Sequence, residues 1–117
     1  MATERRFRYP RSHRLQGKLN FAAVYEQGLK QAHGPIVVFA RPNDLPHPRL
    51  GLSVSRTVGI ATNRNLIKRR LREAFRIQQH DWPRGYDLVI VVRAHKPLML
   101  AEYQKLLSGL MVRIVKQ

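Results

Sequence analysis

A small single α+β domain, running helix, strands, helix, strand, helix, is the fold class this sequence predicts. Three observations carry it. The chain has 117 residues, a length that closes around one hydrophobic core and rarely around two. Hydrophobic residues make up 44% of it, enough to fold despite a heavy charge. Apolar spacing switches along the chain between every third or fourth residue, the mark of a helix, and alternation or short continuous runs, the mark of a strand.

The elements follow in order. Residues 1–13 are rich in Arg, carry Pro10 and hold little apolar material, so a flexible basic arm is expected there, with one domain over 14–117. From Lys18 to Gln27, Phe21, Val24 and Tyr25 fall at i, i+3 and i+4, and Gly28 follows as a C-terminal cap. That spacing predicts a short helix with Phe21 and Tyr25 on one face. Ile36–Arg41 is a β-branched and aromatic run between Gly34-Pro35 and Pro42-Asn43-Asp44, which predicts a strand. Leu50 to Ser55 alternates, with Leu50, Leu52 and Val54 on one side and Gly51, Ser53 and Ser55 on the other.

Ala61 to Ile77 holds Ile67, Leu71, Ala74 and Phe75 at i, i+4, i+7 and i+8, the clearest helical stripe in the chain. A Trp82–Gly85 turn ends that region. Tyr86–Arg93 is almost continuously apolar, as an inner strand covered on both faces would be. Leu100, Tyr103, Leu107, Leu110 and Ile114 mark a last helix.

Charge and composition narrow the function. Lys and Arg number 22 against 7 Asp and Glu, a formal net charge of +15. Cysteine is absent, which excludes disulfide frameworks, thiolate nucleophiles, zinc fingers and iron–sulfur clusters. The longest apolar runs, Ile36–Ala40 and Leu88–Val92, fall far short of the roughly 20 residues that cross a bilayer. No membrane partner is expected. Since no apolar stretch follows the basic start as in a secretory signal, cytoplasmic residence is the default.

Between Gly59 and Arg76, the residues Arg64, Lys68, Arg69, Arg70, Arg72 and Arg76 face a single carboxylate, Glu73. At roughly 100° per residue, Arg64, Lys68, Arg72 and Arg76 form one ridge, with Asn65 and Arg69 beside it. Like charges at this spacing weaken a helix, so such a concentration points to an anionic partner. The predominance of Arg suits phosphate, which a planar guanidinium holds bidentately. Solubility alone needs net charge, not this crowding in one element.

Phe21 and Tyr25 on the first helix, and Val37, Phe39 and Arg41 on one face of the first strand, form a second group. Beside the small polar face of Gly51, Ser53 and Ser55 they would make a shallow aromatic groove fit for unpaired nucleotides, whose bases stack on rings for about 1–3 kcal/mol each. Ordinary core packing of the same rings is the competing reading. The five His residues are dispersed and the carboxylates scattered, so no protein metal ligand is expected. Nor is any catalytic group, as no phosphate-cradling glycine loop or nucleophile elbow is present.

Gly51-Leu-Ser-Val-Ser-Arg56 followed by Asn63-Arg64-Asn65-Leu66-Ile67-Lys68-Arg69-Arg70-Leu71-Arg72-Glu73-Ala74-Phe75-Arg76 resembles the signature of the bacterial ribonuclease P protein subunit. Gly59 in the intervening loop, Tyr86–Arg93 with its Asp87 and Arg93, and Arg14-Leu15 followed by Phe21 and Tyr25 fit the same pattern, over roughly residues 14–110. The resemblance implies an αβββαβα domain with a four-stranded sheet and a left-handed βαβ crossover, of the ribosomal-protein-S5-domain-2-like class. It also implies a subunit that binds a catalytic RNA and the 5′ leader of precursor tRNA while the RNA removes that leader by metal-assisted hydrolysis. Arg64, Asn65, Lys68, Arg69, Arg72 and Arg76 then become catalytic-RNA contacts, and Phe21, Tyr25, Val37, Phe39 and Ser53 the leader cleft. Mg2+ would be held mainly by RNA, with no organic cofactor and no obligate protein partner.

One departure stands out: Leu66 occupies the position of the family's second arginine, and Arg70, elsewhere on the helix, is at best a partial substitute. The main rival reading is a non-catalytic binder of structured RNA, such as a ribosomal or assembly protein. A DNA-binding module is less favoured, because one arginine-dense face without separate base-reading residues mostly tracks phosphates.

Overall fold

The computed structural model describes residues 14–15, 17–82 and 85–115. The expected arm, residues 1–13, and Pro83 and Arg84 of the expected turn lie outside the described residues. The elements are α1 (Lys18–Gln27), β1 (Leu29–His33), β2 (Ile36–Pro42), β3 (Arg49–Ser53), a 3₁₀ turn (Arg56–Val58), α2 (Ala61–Gln78), β4 (Tyr86–Val92) and α3 (Leu100–Val115). This is the αβββαβα order.

The four strands form one sheet in the order β1-β2-β4-β3. β4 is therefore internal, antiparallel to β2 and parallel to β3, with α2 making the crossover. A strand hydrogen-bonded on both sides and packed on both faces needs apolar residues throughout, and Leu88, Val89 and Ile90 are all buried. Tyr86 and Val91 are only half-buried.

Cross-strand partners project to the same face, so the register assigns each residue a side. Ile36, Val38, Ala40, Leu50, Leu88, Ile90 and Val92 turn one way and meet Ile67, Leu71, Ala74 and Phe75 of α2 and Tyr103, Leu107, Leu110 and Ile114 of α3. These helical residues are the ones the spacing selects. Among the described residues, the opposite face is covered by α1 and by Leu15 just before it, through a small cluster of Leu15, Val24 and Val89. Each side chain fully buried in this way contributes about 1.5–3 kcal/mol of hydrophobic stabilisation.

Several element ends shift by one residue from the sequence reading, and two differences are larger. Residue patterning places the first strand at Ile36, but β1 precedes it, paired from Leu29↔Ala40 to His33↔Ile36. Leu29-Lys-Gln-Ala-His carries no apolar alternation because the strand is an edge and its side chains are mostly exposed; its order comes from backbone hydrogen bonds to β2. β3 stops at Ser53, two residues early, where Ser55 and Thr57 hydroxyls lie 2.6 Å apart at the entry to the 3₁₀ turn. Gly28 does follow α1 as its cap, donating to the Val24 carbonyl at 2.8 Å, but in an extended conformation. Space is what demands glycine: a Cβ there would sit 2.4 Å from the Val24 carbonyl oxygen.

Both sheet edges are occupied in part by the chain itself. Leu15 N–H donates to Leu50 O on β3 at 2.8 Å. On the other side, Arg113 of α3 reaches the Ala32 carbonyl of β1 at 2.6 Å.

The carboxylate of Asp87 is the most buried charge described, 1% exposed. Arg49 grips it through Nε and Nη2, each at 2.7 Å, and Asn43 Nδ2 donates to it at 2.7 Å. Hydrogen bonding to Asp87 holds the Arg49 pKa above its ordinary value. Asn43 also accepts the Leu45 N–H at 2.8 Å, and its own N–H donates to Gly85 O at 2.6 Å. The trio thus clamps the β2–β3 connection to the start of β4. Removing one partner of a buried pair costs more than the pair is worth, because the other is left uncompensated. Asp87→Ala is therefore expected to cost about 2–4 kcal/mol, somewhat below the fully buried case since Arg49 reaches water. Urea denaturation checks this: the midpoint should fall with the slope unchanged.

Candidate nucleic-acid interface

The sheet face under α1 is built in rows. The register sets Lys30, Phe39, Val89 and Gly51 side by side across the four strands, and Ala32, Val37, Val91 and Ser53 in the next row. α1 lies over the first row near β3. There the Phe21 ring fills the space above Gly51, where an added Cβ would stand 2.5 Å from the ring. Phe21 and Tyr25 rings meet edge to face at 6.4 Å, and Tyr25 meets Phe39 at 5.0 Å and 89°. Such arrangements suit the ring quadrupoles.

Where α1 stops covering the sheet, a cavity of about 380 Å³ opens, lined by Tyr25, Lys30, Val37, Phe39, Val91 and Arg93. Tyr25 is 39% exposed, and Lys30 Nζ lies 5.8 Å from the Phe39 ring centre. The structure thus brings Phe21, Tyr25, Val37 and Phe39 together. Val37 is itself buried and forms floor; Ser53 lies in the same row beyond Val91, outside the cavity lining. Each ring packs on another, and one side of the group stays open. Lys30 and Arg93 are rim cations that side-chain patterning misses. Lys30 was hidden with β1, and Arg93 becomes a cleft residue only once β4 is registered against β2.

The cations of α2 separate by their partners. Arg64 Nε donates to Gly59 O at 3.1 Å, fixing the loop that enters the helix. Arg70 Nη1 donates to Leu98 O at 2.6 Å and so ties α2 to the connection before α3. Arg76 pairs with Glu73, and that hydrogen bond holds the Glu73 carboxyl below its usual pKa. An exposed pair of this kind is worth under about 1 kcal/mol. The side chains of Asn65, Lys68, Arg69 and Arg72 have no partner among the described residues. Arg72 shares a depression of about 230 Å³ with Arg14, Leu15, Phe21 and Gly51.

The ribonuclease P family model matches residues 9–115. The chain belongs to the ribonuclease P protein family. The ribonuclease P protein component of Photobacterium profundum is 37% identical over 107 residues, 91% of each chain. That of Methylococcus capsulatus is 47% identical over 72 residues, covering 61% of this chain and 56% of that one. A solved RNase P protein from Thermotoga maritima superposes with a TM-score of 0.80 at 32% identity, over 86% of this chain and 99% of that one. Membership of the ribonuclease P family makes this the protein component of a ribonucleoprotein ribonuclease of tRNA 5′-end processing, with an RNA subunit as its partner.

The Gly51–Phe21 contact gives a stability test specific to this ribonuclease P protein. Gly51→Ala should cost about 1–3 kcal/mol as an overpacked contact. In the Phe21→Ala background, where the colliding ring is gone, the same change should cost much less. Denaturant titration of the four variants measures the coupling; simple additivity would place the ring elsewhere.

Proposed function

We propose that this protein grips the ribonuclease P RNA with the outward face of α2 and holds the unpaired 5′ leader of precursor tRNA in the cleft beneath α1, while the RNA breaks the phosphodiester bond. The observation that carries the reading is the depression in which Arg72, one of the α2 side chains with no partner among the described residues, stands beside Phe21, whose ring meets that of Tyr25 in the open aromatic cleft. Asn65, Lys68, Arg69 and Arg72 are free for RNA, with Arg64 and Arg76 at the ends of the same ridge carrying internal bonds as well. Tyr25 and Phe39 offer ring surface to a base, Val37 forms the floor, Phe21 and Ser53 extend the track toward β3, and Lys30 and Arg93 screen the leader phosphates.

This division of labour asks for positioned cations and stacking surface, not for a general base. Among the described residues no three His, Asp or Glu converge to hold a metal ion, so we place the Mg2+ of the reaction on RNA phosphates, which suit hard cations. Among the described residues no helix is long and apolar enough to cross a membrane; the reading includes a cytoplasmic location and no obligate protein partner.

Reconstitution with the RNA subunit should raise cleavage of precursor tRNA at low magnesium above that of the RNA alone; no gain would favour the structured-RNA-binding alternative. Arg69→Ala should weaken RNA binding and reduce the salt slope by about one contact. Tyr25→Ala, at an exposed ring that the core does not require, should weaken precursor tRNA binding several-fold and leave mature tRNA unaffected, since the mature form lacks the unpaired leader. Equal losses for both would remove the cleft from leader binding.

A further inference from the structure

On α2, Thr62, Asn65, Leu66 and Arg69 fall at i, i+3, i+4 and i+7 and line an indentation of about 400 Å³ on the outward side of the helix. Leu66 is its one apolar lining residue. Leu66 is half-buried and belongs to neither hydrophobic cluster of the fold, so core packing does not account for it. Around it stand two unpartnered groups, the Asn65 carboxamide and the Arg69 guanidinium. Arg70, one turn further, is turned away to the Leu98 carbonyl and does not fill the space.

A phosphate gains nothing from a leucine, because it is strongly hydrated and would be stripped of water against an apolar wall. The face of a nucleobase gains on both counts. It buries apolar surface on Leu66, and a guanidinium plane such as that of Arg69 stacks on it. A carboxamide carries a donor and an acceptor side by side, the complement of the adenine N6/N7 edge. Duplex RNA hides its major-groove edges, so a base available to such a seat is an unstacked one in a loop or bulge.

We infer that the Thr62-Asn65-Leu66-Arg69 indentation is a seat for a single unpaired nucleobase of the RNA subunit, adenine fitting Asn65 best, with the neighbouring cations holding the backbone on either side. This rests on α2 being the RNA-binding face and adds a base-reading point to what is otherwise phosphate contact.

The decisive experiment titrates the full-length protein with its ribonuclease P RNA over a salt series, with urea midpoints confirming that each variant folds. Leu66→Ala should lower affinity about 5- to 10-fold at every salt concentration, leaving the slope of log K against log salt unchanged. Leu66→Arg adds a cation, so its slope should steepen by about one contact, yet at high salt, where charge is screened, it should bind more weakly than wild type. A photo-crosslinker at position 66 should label one unpaired nucleotide, and making that nucleotide abasic should abolish the effect of Leu66→Ala. Wild-type binding by Leu66→Ala, tighter binding by Leu66→Arg at all salt concentrations, or crosslinks spread over paired regions would each overturn the inference. If Leu66→Ala is silent while Arg69→Ala still flattens the slope, the base seat fails and the α2 interface stands; if both are silent, the interface itself fails.

Discussion

Insertion of β4 between β2 and β3 is the constraint on which the remaining geometry depends. A strand parallel to β3 cannot be reached by a tight turn; it needs a crossover, and α2 supplies it. The apolar stripe of α2 is thereby fixed against one face of the sheet beside α3, and its cationic side has nowhere to go but outward, past the β3 edge. Among the described residues, the other sheet face is left to a helix of ten residues and the short segment before it, which leave part of it open. An open cleft is thus a product of the topology, and its aromatic lining turns uncovered area into a usable surface.

Most of this architecture is legible in the residue pattern because burial is what writes the pattern. α2, α3, β2 and β4 each bury a regular set of apolar side chains, and their spacing gives them away. β1 is illegible for the converse reason: it is held by main-chain hydrogen bonds along an exposed edge, and main-chain bonds leave no trace in side-chain identity. The aromatic residues of the cleft could be named in advance, but not how far they are covered, since the exposure of Tyr25 and the open side of the Phe39 ring are decided by where α1 ends over the sheet. Lys30 and Arg93 needed cross-strand register, which no linear spacing encodes.

The basic helix shows the same division. Counting arginines identifies a face, but only coordinates separate those already engaged from those available. Arg70 secures the chain before α3, Arg64 secures the loop before α2, and Arg76 is offset by Glu73. The remaining cations repel one another with no internal compensation, a cost the free protein bears and a polyanion relieves. Leu66, half-buried among these residues, shows that such a face need not be uniformly charged.

The treatment of the sheet margins has a consequence for the protein between synthesis and assembly. An open strand edge is a template onto which a second copy can add, and a highly cationic subunit awaiting a large RNA has time to find one. Here the Leu15 amide stitches the margin at Leu50, and Arg113 caps a carbonyl on the far strand. A second copy adding at either margin would have to displace these bonds.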